Sequence, residues 1–153
     1  MTANNGLARR LQPEDIQQLR NEVLWPHKTF ENCILETDRL STTFHFGVQI
    51  DGLSVATVTL QQETSSKLSQ EKQYRLRAMA VREGYRGQGF GDAIVEEGVK
   101  YLSSLGIQVV WCDARVAALN FYRRLQFEEL EEEYEIPIIG LHRFMWKVLS
   151  SHS

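Results

Sequence analysis

The apolar positions of this chain change period several times, and each change marks an element. Ile16, Leu19, Val23 and Leu24 recur at helical spacing behind Pro13-Glu14-Asp15, where proline suits a first turn and two carboxylates suit the positive end of a helix dipole. A short strand over 7–11 should precede that helix, and Trp25-Pro26 should end it. Residues 28–41 show no clear period and read as a loop or a broken helix. Over 43–50 and 53–60 β-formers dominate, and Asp51-Gly52 between them is a two-residue hairpin signal. After the polar stretch 61–73, read as a loop or the widened end of a hairpin, Leu76, Ala78 and Ala80 alternate with Arg75, Arg77 and Met79 in a strand over 74–81.

In the second half, Ala93, Ile94, Val95, Val99, Tyr101 and Leu102 give one apolar face to a helix that should stop at Gly106. A short apolar strand over 107–112, an amphipathic helix over 116–125 and two strands near 129–136 and 141–149 complete the order β-α-β-β-β-α-β-α-β-β. That alternation predicts an α/β (α+β) fold. With 153 residues, no repeat and no linker, it predicts one domain across 1–153.

Between the 74–81 strand and the helix that follows lies YRGQGFGD, Tyr85 to Asp92, with glycines at alternate positions 87, 89 and 91. Glycine is costly inside regular structure, so the cluster marks a backbone that must turn sharply or lie close to something. A strand-to-helix turn aims unsatisfied N–H groups and the positive dipole end outward, and glycines let phosphate oxygens reach them; Arg86 adds a cation. The competing reading is a tight turn that needs only positive φ angles. Gly84 and Gly89 have P-loop spacing, but Phe90-Gly91 stands where Lys-Ser/Thr is required, and Gly87-x-Gly89 is followed by Asp92 rather than the third glycine of a dinucleotide fingerprint. The expectation is a phosphate loop without metal chemistry.

Charge alters this picture in two places. The net charge of -3 argues against general binding to nucleic acid or anionic membrane. Locally, six basic residues fall between Lys67 and Arg86 against Glu71 and Glu83, and six glutamates without a base fall between Glu128 and Glu135. One stretch suits an anion and the other a cation. The polar N-terminal stretch lacks the apolar core of a signal peptide, and no apolar run approaches the length that spans a bilayer, so a cytosolic protein is expected. Cys33 and Cys112 lack CxxC spacing and read as reduced thiols, and His27, His45, His142 and His152 form no ligand pattern, so no metal is expected.

Arg86-Gly87-Gln88-Gly89-Phe90-Gly91, the preceding RLRAMAV and the later NFYRRLQF together resemble the GCN5-related N-acetyltransferases (GNAT), whose acetyl-CoA loop reads Arg/Gln-x-x-Gly-x-Gly/Ala after a central strand. The similarity covers 74–127, and TFHFGV, WCDAR and IPIIGLHRFMWK are similar to small bacterial members of that family. The resemblance implies a mixed, mostly antiparallel central sheet, splayed at the cofactor site and flanked by helices. It implies that acetyl-CoA is the cosubstrate, with its pyrophosphate on the amides of Arg86, Gly87, Gln88, Gly89, Phe90 and Gly91, and its pantetheine arm against the backbone of Met79 and Val81. It also implies direct attack by a primary amine on the thioester, without an acyl-enzyme, and makes Tyr122 the acid that protonates the departing thiolate.

Phe121 reads as core, and Arg123 and Arg124 read as solvated charges, with the CoA 3′-phosphate as their alternative partner. Cys112, ending an apolar strand, reads as a buried inert thiol rather than a nucleophile. Candidates for a general base are Glu132, Glu133, Glu135, His45 and His142, acting directly or through water. Two departures from the family stand out: Gln126-Phe127 replaces Gly-Phe after the Phe-Tyr helix, and Arg115 stands where many members carry Asn. The acceptor is expected to be a small-molecule amine, with a protein or peptide amine, or a silent acyl-CoA-binding module, as competing readings. A homodimer is left open.

Overall fold

A computed structural model describes residues 6–149. In chain order the elements are β1 (Arg9–Leu11), α1 (Pro13–Leu19), β2 (Phe44–Ile50), β3 (Leu53–Gln62), β4 (Gln73–Val81), α2 (Phe90–Ser104), β5 (Val109–Arg115), α3 (Leu119–Arg124), β6 (Glu128–Ile136) and β7 (Gly140–Val148). The strands follow the hydrogen-bonded order β1-β2-β3-β4-β5-β7-β6 in a mixed, mostly antiparallel sheet. The chain forms two compact units that alternate along the sequence: one runs to Gln62 and resumes over Leu76–Tyr101, the other takes Glu63–Arg75 and the chain from Leu102 onward.

In the first unit, β1, β2 and β3 pair antiparallel, and Asp51-Gly52 turns the β2–β3 hairpin with φ +50° and +81°, as the Asp-Gly signal requires. Val48, Val55, Val58 and Ile94 are fully buried. α2 approaches the hairpin closely at Gly98, where a Cβ would stand 2.8 Å from the Leu60 side chain. The first helix is shorter than its periodicity predicts. After Leu19 the backbone widens to a π-turn over Arg20–Leu24, with the Trp25 amide bonded to the Arg20 carbonyl at 2.9 Å. The wider turn coincides with a fully buried arginine: Arg20 donates to Asp38 at 2.6 and 3.0 Å, to Thr59 at 2.7 Å and to the Cys33 carbonyl at 2.9 Å. Residues 28–41 hold two 3₁₀ turns, Glu31–Cys33 and Glu36–Arg39, and the second delivers Asp38 to Arg20.

In the second unit, the first three residues of β4 pair parallel with β5 (Gln73↔Val109 to Arg75↔Trp111), and β5, β7 and β6 continue antiparallel. Paired residues of an antiparallel ladder share a face. One face therefore carries Val110, Cys112 and Ala114 with Arg143, Met145 and Lys147, and α3 covers it: Lys147 donates to the Leu125 carbonyl at 3.0 Å, and Arg143 and Arg123 share Glu129. The opposite face carries Arg75, Trp111, Asp113, Tyr134 and Phe144.

α3 ends without the expected glycine because Gln126 itself takes the left-handed conformation, φ +72°. Its amide bonds the Arg123 carbonyl at 3.0 Å, the Phe127 amide bonds the Tyr122 carbonyl at 3.0 Å, and the rings of Tyr122 and Phe127 meet at 5.3 Å. Those two bonds and that contact are the Schellman stop, made with the wrong residue at its left-handed position. An L-residue costs roughly 1–2 kcal/mol there. Part of that cost is offset because glycine loses more chain entropy on folding. Gln126→Gly is expected to stabilise the protein by about 1 kcal/mol, raising the thermal midpoint by roughly 2–4 °C. Calorimetric melting of the two proteins side by side checks it; an unchanged or lower midpoint would remove the strain argument.

Candidate functional site

β4 does not run straight into the glycine loop. Ala78, a non-glycine residue in its interior, has φ +53°, a break in the strand's regular extended conformation just before Met79. From Val81 the chain turns through 82–89, where Gly84, Gly87 and Gly89 take φ +92°, +76° and +85°. Among the described residues, a Cβ added at any of these three would meet no atom within 4 Å. The glycines are therefore not demanded by crowding within the chain; they meet a backbone requirement and leave the loop bare on its outer side. Arg86, Gly87, Gln88 and Gly89 are exposed, whereas Gly91 is buried in the first turn of α2.

Two side chains fix this loop to its own frame. The Arg86 Nε donates to the Val81 carbonyl at 2.9 Å, tying the cation to the end of β4, and Gln88 donates to the Gly84 carbonyl at 3.2 Å. The exposed amino groups of Arg86 remain to meet an anion. Tyr85 and Phe90 flank the turn with their rings 6.5 Å apart. The first unit thus brings Met79, Val81 and the loop residues Arg86 to Gly91 together at the junction of β4 and α2. The exposed turn 86–89, open above its glycines among the described residues and set at the start of a fifteen-residue helix, fits the anionic part of CoA.

Tyr122 belongs to the second unit, on α3. It is 5 % exposed, held edge-on between Phe121 at 5.0 Å and Phe127 at 5.3 Å. Burial pushes its hydroxyl well above the ordinary phenol range; the neighbouring Cys112 pushes the same way and Arg115 opposes. The group therefore stays protonated at neutral pH and can act as a donor. Cys112 is buried as expected, and burial raises its thiol far out of the nucleophilic range. Arg123 is engaged by Glu129 and Asn120, and the Arg124 guanidinium lies 5.5 Å from the Phe121 ring.

The base candidates separate on their surroundings. His45 is buried in the Arg20–Asp38 cluster, its Nδ1 2.8 Å from the Thr59 hydroxyl and its Nε2 3.0 Å from the Asp38 carbonyl. Burial pushes its pKa down, against the pull of Asp38, so it is a neutral packing group. Burial alone would raise the Asp38 carboxyl, but the Arg20 hydrogen bonds and charge outweigh it and hold it below the usual range. Glu133 is taken by Arg143 at 3.0 Å. Glu129 is held at about 2, chiefly by its hydrogen bond from Arg123 and also by Arg143. Glu128, Glu131, Glu132 and Glu135 remain exposed. His142 is 3 % exposed, with Nδ1 2.6 Å from the Gly140 carbonyl and its ring stacked on Tyr134 at 6.2 Å. Among the described residues no cluster of His, Cys, Asp or Glu could hold a metal ion, and no helix is long and apolar enough to cross a membrane.

The family model of the acetyltransferase (GNAT) family matches residues 9–127. The chain belongs to that family. A relative, the uncharacterized N-acetyltransferase YitI of Bacillus subtilis, is 36% identical over 136 residues, covering 89% of this chain and 91% of that one. An aminoglycoside 6'-N-acetyltransferase solved with coenzyme A superposes with TM-score 0.76 at 10% identity, covering 96% of this chain and 99% of that one. The ribosomal-protein-S18-alanine N-acetyltransferase of Escherichia coli superposes with TM-score 0.73 at 18% identity, covering 95% of each. At such identities the superpositions establish the GNAT fold. The two enzymes' names span a small-molecule and a protein acceptor, so the fold leaves the acceptor open.

Sequence reasoning missed Arg20 and Asp38, which lie in a helix tail and an aperiodic stretch, and it missed Asp113. The signal for Asp113 was a lone carboxylate ending the apolar run VVWCDAR.

Proposed function

We propose that this GNAT protein is an acetyl-CoA-dependent N-acetyltransferase that moves an acetyl group to the primary amine of a small molecule by direct attack. The observation that carries the reading is the loop 84–89, with three left-handed glycines, no atom of the described residues within 4 Å of where their Cβ atoms would be, and Arg86 anchored beside them. Acetyl-CoA, the cosubstrate of the family, supplies the activated acetyl group. Amides of Arg86 to Gly91 would hold its pyrophosphate, and the backbone of Met79 and Val81 its pantetheine amides. The amine attacks in its neutral form, its ammonium proton having gone to solvent; as the C–N bond forms and the C–S bond breaks, Tyr122, kept protonated by burial, would supply the proton for the departing thiolate and regain it from the acetylated nitrogen. A buried, protonated Tyr122 and the intact loop favour catalysis over a silent acyl-CoA-binding module. A thiol-release screen with acetyl-CoA against panels of small amines and of peptides tests the reading. Release with small amines supports it, release with peptides alone transfers it to a protein acceptor, and binding of CoA without release on any acceptor leaves the silent module.

The exposed carboxylates Glu128, Glu131, Glu132 and Glu135 supply the field for a cationic acceptor. Acceptor KM is expected to rise with salt, because screening shortens from about 10 Å at 0.1 M to about 3 Å at 1 M. It should rise again in Glu132→Gln and Glu135→Gln. Glu133→Gln should act mainly on stability, since its carboxylate is committed to Arg143. A KM insensitive to salt and to the Glu132 and Glu135 substitutions would reduce the run to a solvated strand face.

A further inference from the structure

The face of the second unit opposite α3 carries a cluster that the cofactor chemistry does not use. Arg75 bridges two carboxylates, Asp113 at 3.0 Å and Glu63 at 3.4 Å, and the Tyr134 hydroxyl donates to the other oxygen of Asp113. Burial and that hydrogen bond push the Tyr134 hydroxyl above its ordinary range, so it remains the donor of the pair. Trp111 stacks on Phe144 at 5.5 Å and fixes its indole N–H on the Glu63 carbonyl at 3.0 Å. Over this floor lies an exposed lysine: the Lys67 ammonium is 5.1 Å from the centroid of Tyr134 and 4.9 Å from that of Phe144. It makes no ion pair among the described residues.

An ammonium held only by two ring faces is recognised by its charge and by the shape of its arm. The charges of the contacting side chains point the same way. Glu63 and Asp113 bring two negative charges and Arg75 one positive, so one positive charge is needed to balance the cluster, and Lys67 provides it. An incoming alkylammonium could take the lysine's place without changing that balance, whereas a neutral or anionic group would leave the carboxylates undercompensated. Lys67 is exposed and sits in the polar segment before β4, so little packing is lost if it swings out. Position supports a functional use: the cluster is built on Asp113 and Tyr122 lies beside Cys112, consecutive residues of β5 that serve opposite faces of the strand.

We propose that the Tyr134–Phe144 aromatic pair, backed by Asp113, is the site that receives the ammonium of the acceptor, and that Lys67 occupies it as an internal competitor when no acceptor is bound. The ligand class is a primary alkylammonium on an unbranched aliphatic arm. The assignment to the acceptor rests on the acetyltransferase reading; the ammonium site itself does not.

The test titrates the full chain with n-butylammonium at neutral pH, followed by ligand-observed NMR, with n-butanol as the neutral control and a capped lysine tripeptide as the peptide-borne form of the same group. Lys67→Ala is expected to bind n-butylammonium roughly three- to tenfold more tightly than the parent, n-butanol no better, and the free amine at least as tightly as the peptide. Tyr134→Leu in the Lys67→Ala background should abolish the gain; Phe144→Leu serves if the Tyr134 variant does not fold. In the thiol-release assay Lys67→Ala should lower the acceptor KM by a similar factor with kcat unchanged. Equal ammonium affinity in parent and Lys67→Ala overturns the proposal, as does a gain that survives loss of both rings. A tighter ammonium site with an unaltered KM for every acetylated amine overturns its assignment to the acceptor. Tighter ammonium binding together with no acetylation of any amine upholds the site and overturns the enzymatic reading instead.

Discussion

Gly89→Val is expected to abolish most CoA affinity in a protein that still folds. The two halves of that expectation come from the same observation. Gly89 has φ +85° and, among the described residues, no atom within 4 Å of where its Cβ would be, so the new Cβ meets no obstacle there. Its cost to folding is that of forcing an L-residue into a left-handed conformation, roughly 1–2 kcal/mol against a typical total of about 5–15 kcal/mol. The cost to binding is larger. The branched side chain fills the bare space over the loop amides, and losing two charge-assisted hydrogen bonds at roughly 1.5–3 kcal/mol each weakens binding about 100-fold or more. Gly84→Val is the matched control: it places the same branched residue in a left-handed conformation at φ +92°, with the same open surroundings among the described residues, outside the run Arg86 to Gly91. Calorimetry should find CoA affinity nearly intact in folded Gly84→Val and lost in folded Gly89→Val. Equal affinities in the two variants would falsify the phosphate role of the loop.

The elements that were legible in the sequence are those whose signal is local. The Asp51-Gly52 turn, the alternation over β4 and the apolar face of α2 each lie within a dozen residues, and the strand-to-helix placement of the glycine loop followed from them. What was not legible depends on partners distant in sequence. The first helix carries its apolar period to Leu24, yet it opens to a π-turn at Arg20 because that side chain is buried on Asp38 and Thr59, 18 and 39 residues away. His45 looked like a base until Thr59 and the Asp38 carbonyl took both of its ring nitrogens. The glutamate run looked uniform; Arg123 and Arg143 divide it, committing Glu129 and Glu133 and leaving the remainder exposed. The missing glycine after α3 shows the converse. The sequence departed from the family, but the backbone kept the turn, and Gln126 bears the strain.

Tyr122→Phe is expected to lower turnover about 10²–10⁴-fold while leaving CoA affinity and acceptor KM nearly unchanged. The substitution is conservative because the ring does the packing. Phe121 and Phe127 hold it at 5.0 and 5.3 Å, and the Tyr122 carbonyl, which accepts the Phe127 amide, is backbone. Only the hydroxyl is lost. That hydroxyl carries its proton throughout the neutral range, because burial and the neighbouring Cys112 push its pKa up, so the donor is present when the thiolate leaves. A raised pKa also sets the pH behaviour of the parent: the donor is present at every pH below that value, so Tyr122 adds no alkaline limb between pH 6 and 9, and any limb there belongs to the amine or to a base. A thiolate leaving without a proton donor carries its full negative charge away from the breaking C–S bond, and that penalty falls on the chemical step rather than on binding. Single-turnover rates on an acetylated acceptor, measured beside calorimetric CoA affinity, separate the two. If the variant turns over within a few-fold of the parent, the thiolate is protonated by another donor or by solvent, and Tyr122 is a packing residue whose hydroxyl has no part in the reaction.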